Sequence, residues 1–467
     1  MQRTTWAAST GTSVPADADV DRRTPLGGPD PAGRPRRVAW GQAVRVVLWP
    51  LAVGSLLHLA VRSSTGTASD LAILWRSGAS LAAGGPLYDA RLEFIYPPLA
   101  GWLFAPLGLL PFRGALVVVV LVGLAAVAAA TVLLLRLVGI RATSPVLPGA
   151  LLVLANSRPL IGLLDQGNVD TVLLLAEAGV IALLVARRDI AAGALLGAVC
   201  AVKPTLAPVV IALVLLGRGR ALLAAATSGV VLTAVGVLTV PDRAVFFSDV
   251  LPLLAGGNRP ELAPFNRSLH GAAVQLGLPP ALDLGLRVAA FGLACWVAWR
   301  RRSRPQAPLE VVPLLMLGTL LASSFSWANY SIYLLPLLVT VVRRDSLVRT
   351  WPAWAGVYLF ATNDAWHVEG LTGVPDTFLR LLPLAGWLLL LGACAVAAHR
   401  SDTAAPSRWP RLSPSGARGV AAHPPDTVDQ VDSQPLTRPR DDGGPARRRH
   451  ARPARWAPWG SNPQPAD

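Results

Sequence analysis

Residues 115–135 run for 21 positions without a charged side chain, and that run limits the fold more than anything else in the chain. A segment of this length and polarity spans the hydrocarbon of a bilayer as a helix. In lipid the backbone has to satisfy its own hydrogen bonds, and helices do so within a single segment. Apolar runs of comparable length recur, among them 169–186 with two acids and 378–398 with one arginine. The chain is 53% hydrophobic and 15% charged, whereas soluble domains carry about a quarter charged residues. The expected class is an all-α, polytopic integral membrane protein.

The net charge of +15 raises the question of nucleic acid, but the arginines do not form a basic face. They stand in the N-terminal tail, in short loops between apolar runs and in the C-terminal tail, which is the pattern of cytoplasmic loops in membrane proteins. Nucleic acid is therefore excluded as a partner. Cys200, Cys295 and Cys394 fall inside apolar runs and read as reduced thiols, not as a disulfide or zinc set. No cleavable signal peptide is visible at Met1. Residues 1–37 and 401–467 are rich in Pro, Gly and Arg and are expected to be disordered cytoplasmic tails.

Arginine positions also orient the apolar runs. With Arg34–Arg37 inside, the alternation gives about twelve crossings or half-crossings between residues 38 and 400, several shorter than an upright span needs. Two loops lie outside, 69–112 and 241–283. This threading brings Asp70, Glu93, Asp165, Lys203, Asn266, His270, Trp327 and Asp364 to the outer face of a plasma membrane, although none of them was used to build it.

The first loop is a polar island holding Asp70, Tyr88, Asp89, Glu93 and Tyr96-Pro97-Pro98. Asp70 is a candidate general base, and Ser69-Asp70 ahead of an amphipathic stretch also reads as a helix cap. Lys203 is the only lysine, set where a span breaks at Pro204. It suits a phosphate headgroup, and it also suits a side chain snorkelling to the interface. Asp165-Gln166-Gly167-Asn168 offers a carboxylate and two amides to a hydroxyl-rich ligand, or is a turn whose Asn168 caps the next helix. Glu177 is read as one member of a structural ion pair. Asn266-Arg267-Ser268 and His270 form a polar cluster, with Arg267 a second cation for phosphate. Trp327 and Tyr330 fit sugar stacking or an aromatic belt. Walker, dinucleotide and nucleophile-elbow motifs are absent, no metal-ligand spacing occurs, and no cofactor is called for.

Taken in order, these residues resemble a known family. Asp70, Gly85-Pro86-Leu87-Tyr88, Tyr96-Pro97-Pro98, Pro106 and Leu110-Pro111-Phe112 are similar to the family 87 glycosyltransferases, which are multi-span type-C enzymes of actinobacterial envelopes. Gln166-Gly167-Asn168, Lys203-Pro204, Asn266-Arg267-Ser268 and Ser326-Trp327 follow in the order of that family's later motifs. The resemblance covers residues 40–400, and residues 341–358 are similar to its arabinofuranose-transferring members.

The resemblance implies a polyprenyl-phosphate sugar as donor and an envelope glycan or glycolipid as acceptor. It also implies inverting transfer with Asp70 as the catalytic base. The sugar would be arabinofuranose or, alternatively, mannose. A lipid-linked saccharide transporter is a further reading, but no internal repeat supports it. A non-catalytic scaffold would leave the polar loops without a purpose.

Overall fold

The computed structural model describes residues 34–88, 93–256, 265–362 and 370–403. Asp89, Asp364, most of both expected tails and the middle of the second loop lie outside the described residues. Among the described residues all regular structure is helical. Five helices are long and apolar enough to cross a membrane: Val44–Ser64, Phe112–Leu137, Gly219–Thr239, Pro280–Arg301 and Leu382–Arg400. The pair Val146–Ala155 and Arg158–Asp165, bent by 58°, makes up to six.

Twelve crossings were expected, and the remaining segments are helices too short to qualify. Asp189–Val202, Pro204–Leu215, Pro308–Ala322 and Ala328–Val342 have 10–17 residues each. Pro204 and Pro208 break one run and Pro336 another, because proline removes a backbone donor and crowds the preceding turn. Short helices persist at membrane depth when protein covers their ends. Pro308–Ala322 fits that condition, with Val311, Val312, Leu314, Leu315, Met316 and Leu317 all at 0% exposure.

In chain order, α1 (Arg34–Ser64) leads into the amphipathic α2 (Ser69–Ala82) and the apolar α3 (Pro98–Gly108). Then follow α4 (Phe112–Leu137), α5 (Val146–Ala155), α6 (Arg158–Asp165), α7 (Asp170–Val185), α8 (Asp189–Val202), α9 (Val209–Leu215) and α10 (Gly219–Thr239). Helices α8 and α10 approach each other closely. Gly193 and Gly197, four apart, face Ala221 and Ala225, and a Cβ on either glycine would collide with those backbones. Small residues at this spacing let membrane helices gain dispersion energy that lipid cannot supply.

The helices share two ends. At one, Phe112 of α4 packs edge-on against Trp75 of α2, ring centroids 5.7 Å apart. At the other, the Leu137 carbonyl of α4 accepts from Gln306 Nε2 at 2.9 Å. At 1.5 Å per residue, the 26 residues of α4 separate these ends by about 39 Å. The Gln306 end is built on arginine. Arg301 meets Glu310 through two bonds, Nε–Oε2 at 2.6 Å and Nη2–Oε1 at 3.1 Å, with both side chains 1% exposed. Arg343 pairs with Asp345 at 2.9 Å, and Arg218 with Asp189 at 3.0 Å.

The Trp75 end carries the polar island. Leu74, Leu81, Leu87, Tyr88, Phe94, Phe104 and Phe246 form a separate apolar cluster beneath it. Asp242 ties the island to the second loop by accepting from the Leu87 and Tyr88 amides at 3.1 and 2.6 Å.

Candidate active site

Asp70 lies in the first turn of α2, but its side chain does not cap the helix. Ala68 takes a left-handed conformation at φ 46° and the helix has no side-chain cap. The Asp70 and Leu71 amides instead both donate to the Gln166 carbonyl at 3.1 Å. A distant turn satisfies the donors that every helix start leaves open, and the carboxylate remains available. That turn needs glycine. Gly167 has φ +65°, and a Cβ there would sit 2.6 Å from the Leu71 side chain.

Asn168 fixes the carboxylate. Its Nδ2 donates to Asp70 Oδ2 at 2.7 Å, while its Oδ1 accepts from the Asp170 amide at 3.0 Å. One side chain therefore caps α7, as the sequence suggested, and holds Asp70. The other carboxylate oxygen, Oδ1, has Ser69 Oγ at 3.5 Å, the limit of a hydrogen bond. Asp70 is half-buried. Burial raises its pKa above the ordinary carboxylate value, against the Asn168 hydrogen bond and the nearby Lys203 charge, which lower it. A carboxylate with one oxygen firmly anchored, the other held only by a long serine contact and a raised proton affinity is equipped to take a proton from a hydroxyl.

Lys203 stands behind it, at the break between α8 and α9. Its Nζ donates to Asp170 Oδ1 at 2.7 Å, and Tyr333 donates to the same oxygen at 2.7 Å. The ammonium lies 5.3 Å from the Tyr96 ring centroid and 5.4 Å from that of Tyr330, a cation–π arrangement. Asp170 is fully buried and its Oδ2 has no hydrogen-bond partner.

Asp170 and Tyr333 are the residues that sequence reasoning missed, and Tyr330 it placed only in an aromatic belt or against a sugar, not beside Lys203. Asp170 reads as an ordinary first-turn acid. Tyr330 and Tyr333 read as interfacial aromatics, yet they belong to the 3₁₀ helix Ala328–Leu334, whose three-residue repeat puts i and i+3 on one side. The residues Asn-Tyr-Ser-Ile-Tyr carry that spacing.

Several predicted site residues have other partners. Asp165 accepts from Arg62 Nη2 and Ser63 Oγ, both at 2.7 Å, and so pins the end of α6 to the end of α1. Gln166 Oε1 accepts from Asn329 at 3.2 Å. Glu93 pairs with Arg76 at 2.6 Å. Tyr88 is buried and donates to the Tyr96 carbonyl at 3.0 Å. With Arg76 and Glu93 it lines a cavity of about 230 Å³ beside α2.

Asn266 clasps the loop after residue 323. Its Oδ1 accepts from the Ser268 and Ser326 amides at 3.0 Å and its Nδ2 donates to the Ser324 carbonyl at 2.8 Å. Arg267, next to it, is buried. His270 Nδ1 lies 2.8 Å from Asp283. Trp327 packs between Phe265 and Phe325, at 5.9 and 5.2 Å. Glu177, expected in an ion pair, is fully buried within α7 and neither of its carboxyl oxygens has a hydrogen-bond partner.

These contacts draw Asp70, Tyr96, the 165–170 turn and Lys203 to one end of the bundle with the 328–333 helix. A family model described as glycosyltransferase family 87 matches residues 94–324. The alpha-(1→3)-arabinofuranosyltransferase of Mycobacterium tuberculosis is 32% identical over 390 residues, covering 79% of this chain and 89% of the relative. The chain belongs to glycosyltransferase family 87.

Other members of the family divide by sugar. The alpha-(1→3)-arabinofuranosyltransferase of Corynebacterium glutamicum is 26% identical, covering 79% of this chain and 90% of the relative. The M. tuberculosis polyprenol-phosphate-mannose-dependent alpha-(1-2)-phosphatidylinositol pentamannoside mannosyltransferase is 29% identical, over 79% of this chain and 89% of the relative. No solved structure matches. The family 87 model begins after Asp70 and ends before Tyr330, so it spans the Asp170–Lys203 pair but not the carboxylate in front of it.

Proposed function

We propose that this glycosyltransferase is an inverting enzyme that moves arabinofuranose from a polyprenyl-phosphate carrier to a cell-envelope glycan, with Asp70 as its base. The observation that carries the reading is the Asp70 carboxylate, anchored by Asn168 at 2.7 Å on one oxygen and holding only a long 3.5 Å contact from Ser69 on the other. In the reaction Asp70 takes the proton of an acceptor hydroxyl. That oxygen bonds to the anomeric carbon, and the bond from carbon to phosphate oxygen breaks with its electron pair leaving on the phosphate.

The departing phosphate gains from positive charge held in place before the reaction. We assign that role to Lys203, held between Asp170, Tyr96 and Tyr330, and to Arg267 on the adjacent loop. Tyr88, Glu93, Tyr96, Asp165, Gln166, Asn168, Asn266, His270 and Trp327 frame the sugar and acceptor. The hydrogen bonds above make Asp165, Asn168 and Asn266 supports of that frame. The site faces the extracytoplasmic side of the plasma membrane, where a lipid-linked donor is met.

The second reading, mannose as the sugar, is favoured by the mannosyltransferase relatives. The test is reconstitution in liposomes with radiolabelled decaprenyl-phosphate arabinose or decaprenyl-phosphate mannose and a synthetic glycan acceptor. Glycosidic product from arabinose supports the proposal, and product from mannose alone replaces the sugar. Label crossing the bilayer without product overturns the enzyme reading.

A further inference from the structure

A cavity of about 400 Å³ lies between α1 and the bent pair α5–α6, lined by Leu51, Gly54, His58, Arg62, Asn156 and Ile161 among others. None of these residues belongs to the site around Asp70. On α1, positions 51, 54, 55, 58 and 62 are spaced three or four apart, so the trough follows one helix face. From Pro50 to Arg62 it extends about 18 Å along the axis, against a hydrocarbon thickness of about 30 Å. Val44–Ser64 is covered by protein over only 11% of its apolar window, and Leu51, Gly54 and His58 are exposed.

The trough changes character along its length. It is apolar around Leu51 and Gly54. Ser55 and Asn156, bonded to each other at 3.3 Å, follow, and then His58 and Arg62. Arg62 gives one nitrogen to Asp165 and carries further donors on the same guanidinium. An apolar channel on a membrane-facing helix, ending in an imidazole and a guanidinium, fits an amphiphile with one long chain and an anionic head. Its cationic end is wired to the catalytic turn. Asp165 binds Arg62, and the next residue, Gln166, supplies the carbonyl that starts the Asp70 helix.

We infer that this trough seats the isoprenoid chain of a polyprenyl phosphate, with His58 and Arg62 at the headward end of the chain and the phosphate itself carried past them to Lys203, where the attached sugar meets Asp70. The inference rests on the proposed donor class and adds where its lipid binds. Gly54 supplies a clean obstruction, since a Cβ there meets nothing within 4 Å.

The test uses the full chain in nanodiscs with a decaprenyl phosphate bearing a photoreactive group near its head, the labelled peptides being mapped by mass spectrometry. Label is expected on residues 51–62 and 155–161, displaced by unmodified decaprenyl phosphate. Gly54→Leu is expected to remove that label at unchanged melting temperature, and to raise the donor KM by about tenfold. His58→Leu shifts KM in the same direction. Label elsewhere, displacement by phosphatidylinositol but not by decaprenyl phosphate, or a wild-type KM in Gly54→Leu overturns the inference. Photolabelling reads the trough even if no sugar is transferred, so failure of the proposed reaction is distinguished from failure of this site.

Discussion

The two ends of the bundle hold buried ion pairs of similar composition and use them differently. At the arginine end Arg301 and Glu310 close on each other through two hydrogen bonds, and Arg301 also donates to the Asp345 carbonyl at 2.8 Å. Both side chains are sealed from solvent, so the pair fixes the Pro280–Arg301 and Pro308–Ala322 helices together. At the Asp70 end Lys203 and Asp170 form a single bond, Asp170 keeps one oxygen without a partner as Arg301 keeps its Nη1, and a half-buried carboxylate stands in front of them. A buried ion pair is weak evidence of stability in itself, because desolvation offsets its attraction. The difference lies in the neighbouring acid: Asp345 at the arginine end is itself paired with Arg343 at 2.9 Å, whereas Asp70 is held only by an amide and a hydroxyl.

The largest effect is expected at Lys203. Lys203→Met leaves Asp170 buried without its cation, which costs about 3–5 kcal/mol of stability, and it removes the charge assigned to the departing phosphate. Melting temperature and transfer rate should fall together. Arg301→Met is expected to cost a similar ~3–5 kcal/mol by stranding Glu310, but kcat per folded molecule should be unchanged and Arg301→Met/Glu310→Leu should recover most of the stability. A parallel loss of kcat in Arg301→Met would break the contrast between the ends.

A smaller effect belongs to Asn168→Ala. Losing its hydrogen bond leaves burial to act on Asp70 unopposed by that contact, so the carboxyl pKa rises further. A base works only when deprotonated, so the acid limb of kcat/KM should move to higher pH, and a pH–rate profile reads it. The smallest is Asp165→Asn. Its ion pair with Arg62 is partly exposed, with side chains 46% and 32% accessible, and such pairs contribute about 0.2–1 kcal/mol. Thermal unfolding should show a shift of that order.

The same comparison explains what could be read from the sequence. Runs without charge announced α4 and Leu382–Thr403, and arginine spacing marked one end of the bundle. Asp70, Asn168 and Lys203 stood out because polar side chains beside apolar runs need a reason. Asp170 did not, since its partners lie 33 and 163 residues away in Lys203 and Tyr333, and only folding brings them together. Five helices qualify as spans by length and composition, or six with the bent pair, where about twelve crossings or half-crossings were expected. Hydropathy marks where a segment is apolar, but whether a short helix suffices depends on neighbours such as those covering Pro308–Ala322. Asp165 was placed with the ligand-binding amides because it adjoins them in sequence, whereas the end of α1 takes it up.

The account stands on Asp70, and the most direct measurement is sugar transfer by Asp70→Asn in proteoliposomes beside its thermal unfolding. Asparagine keeps the shape and an acceptor for Asn168 but cannot take the hydroxyl proton. Transfer should fall by about 10²–10⁴-fold at an unchanged melting temperature. Transfer at the wild-type rate would contradict the assignment.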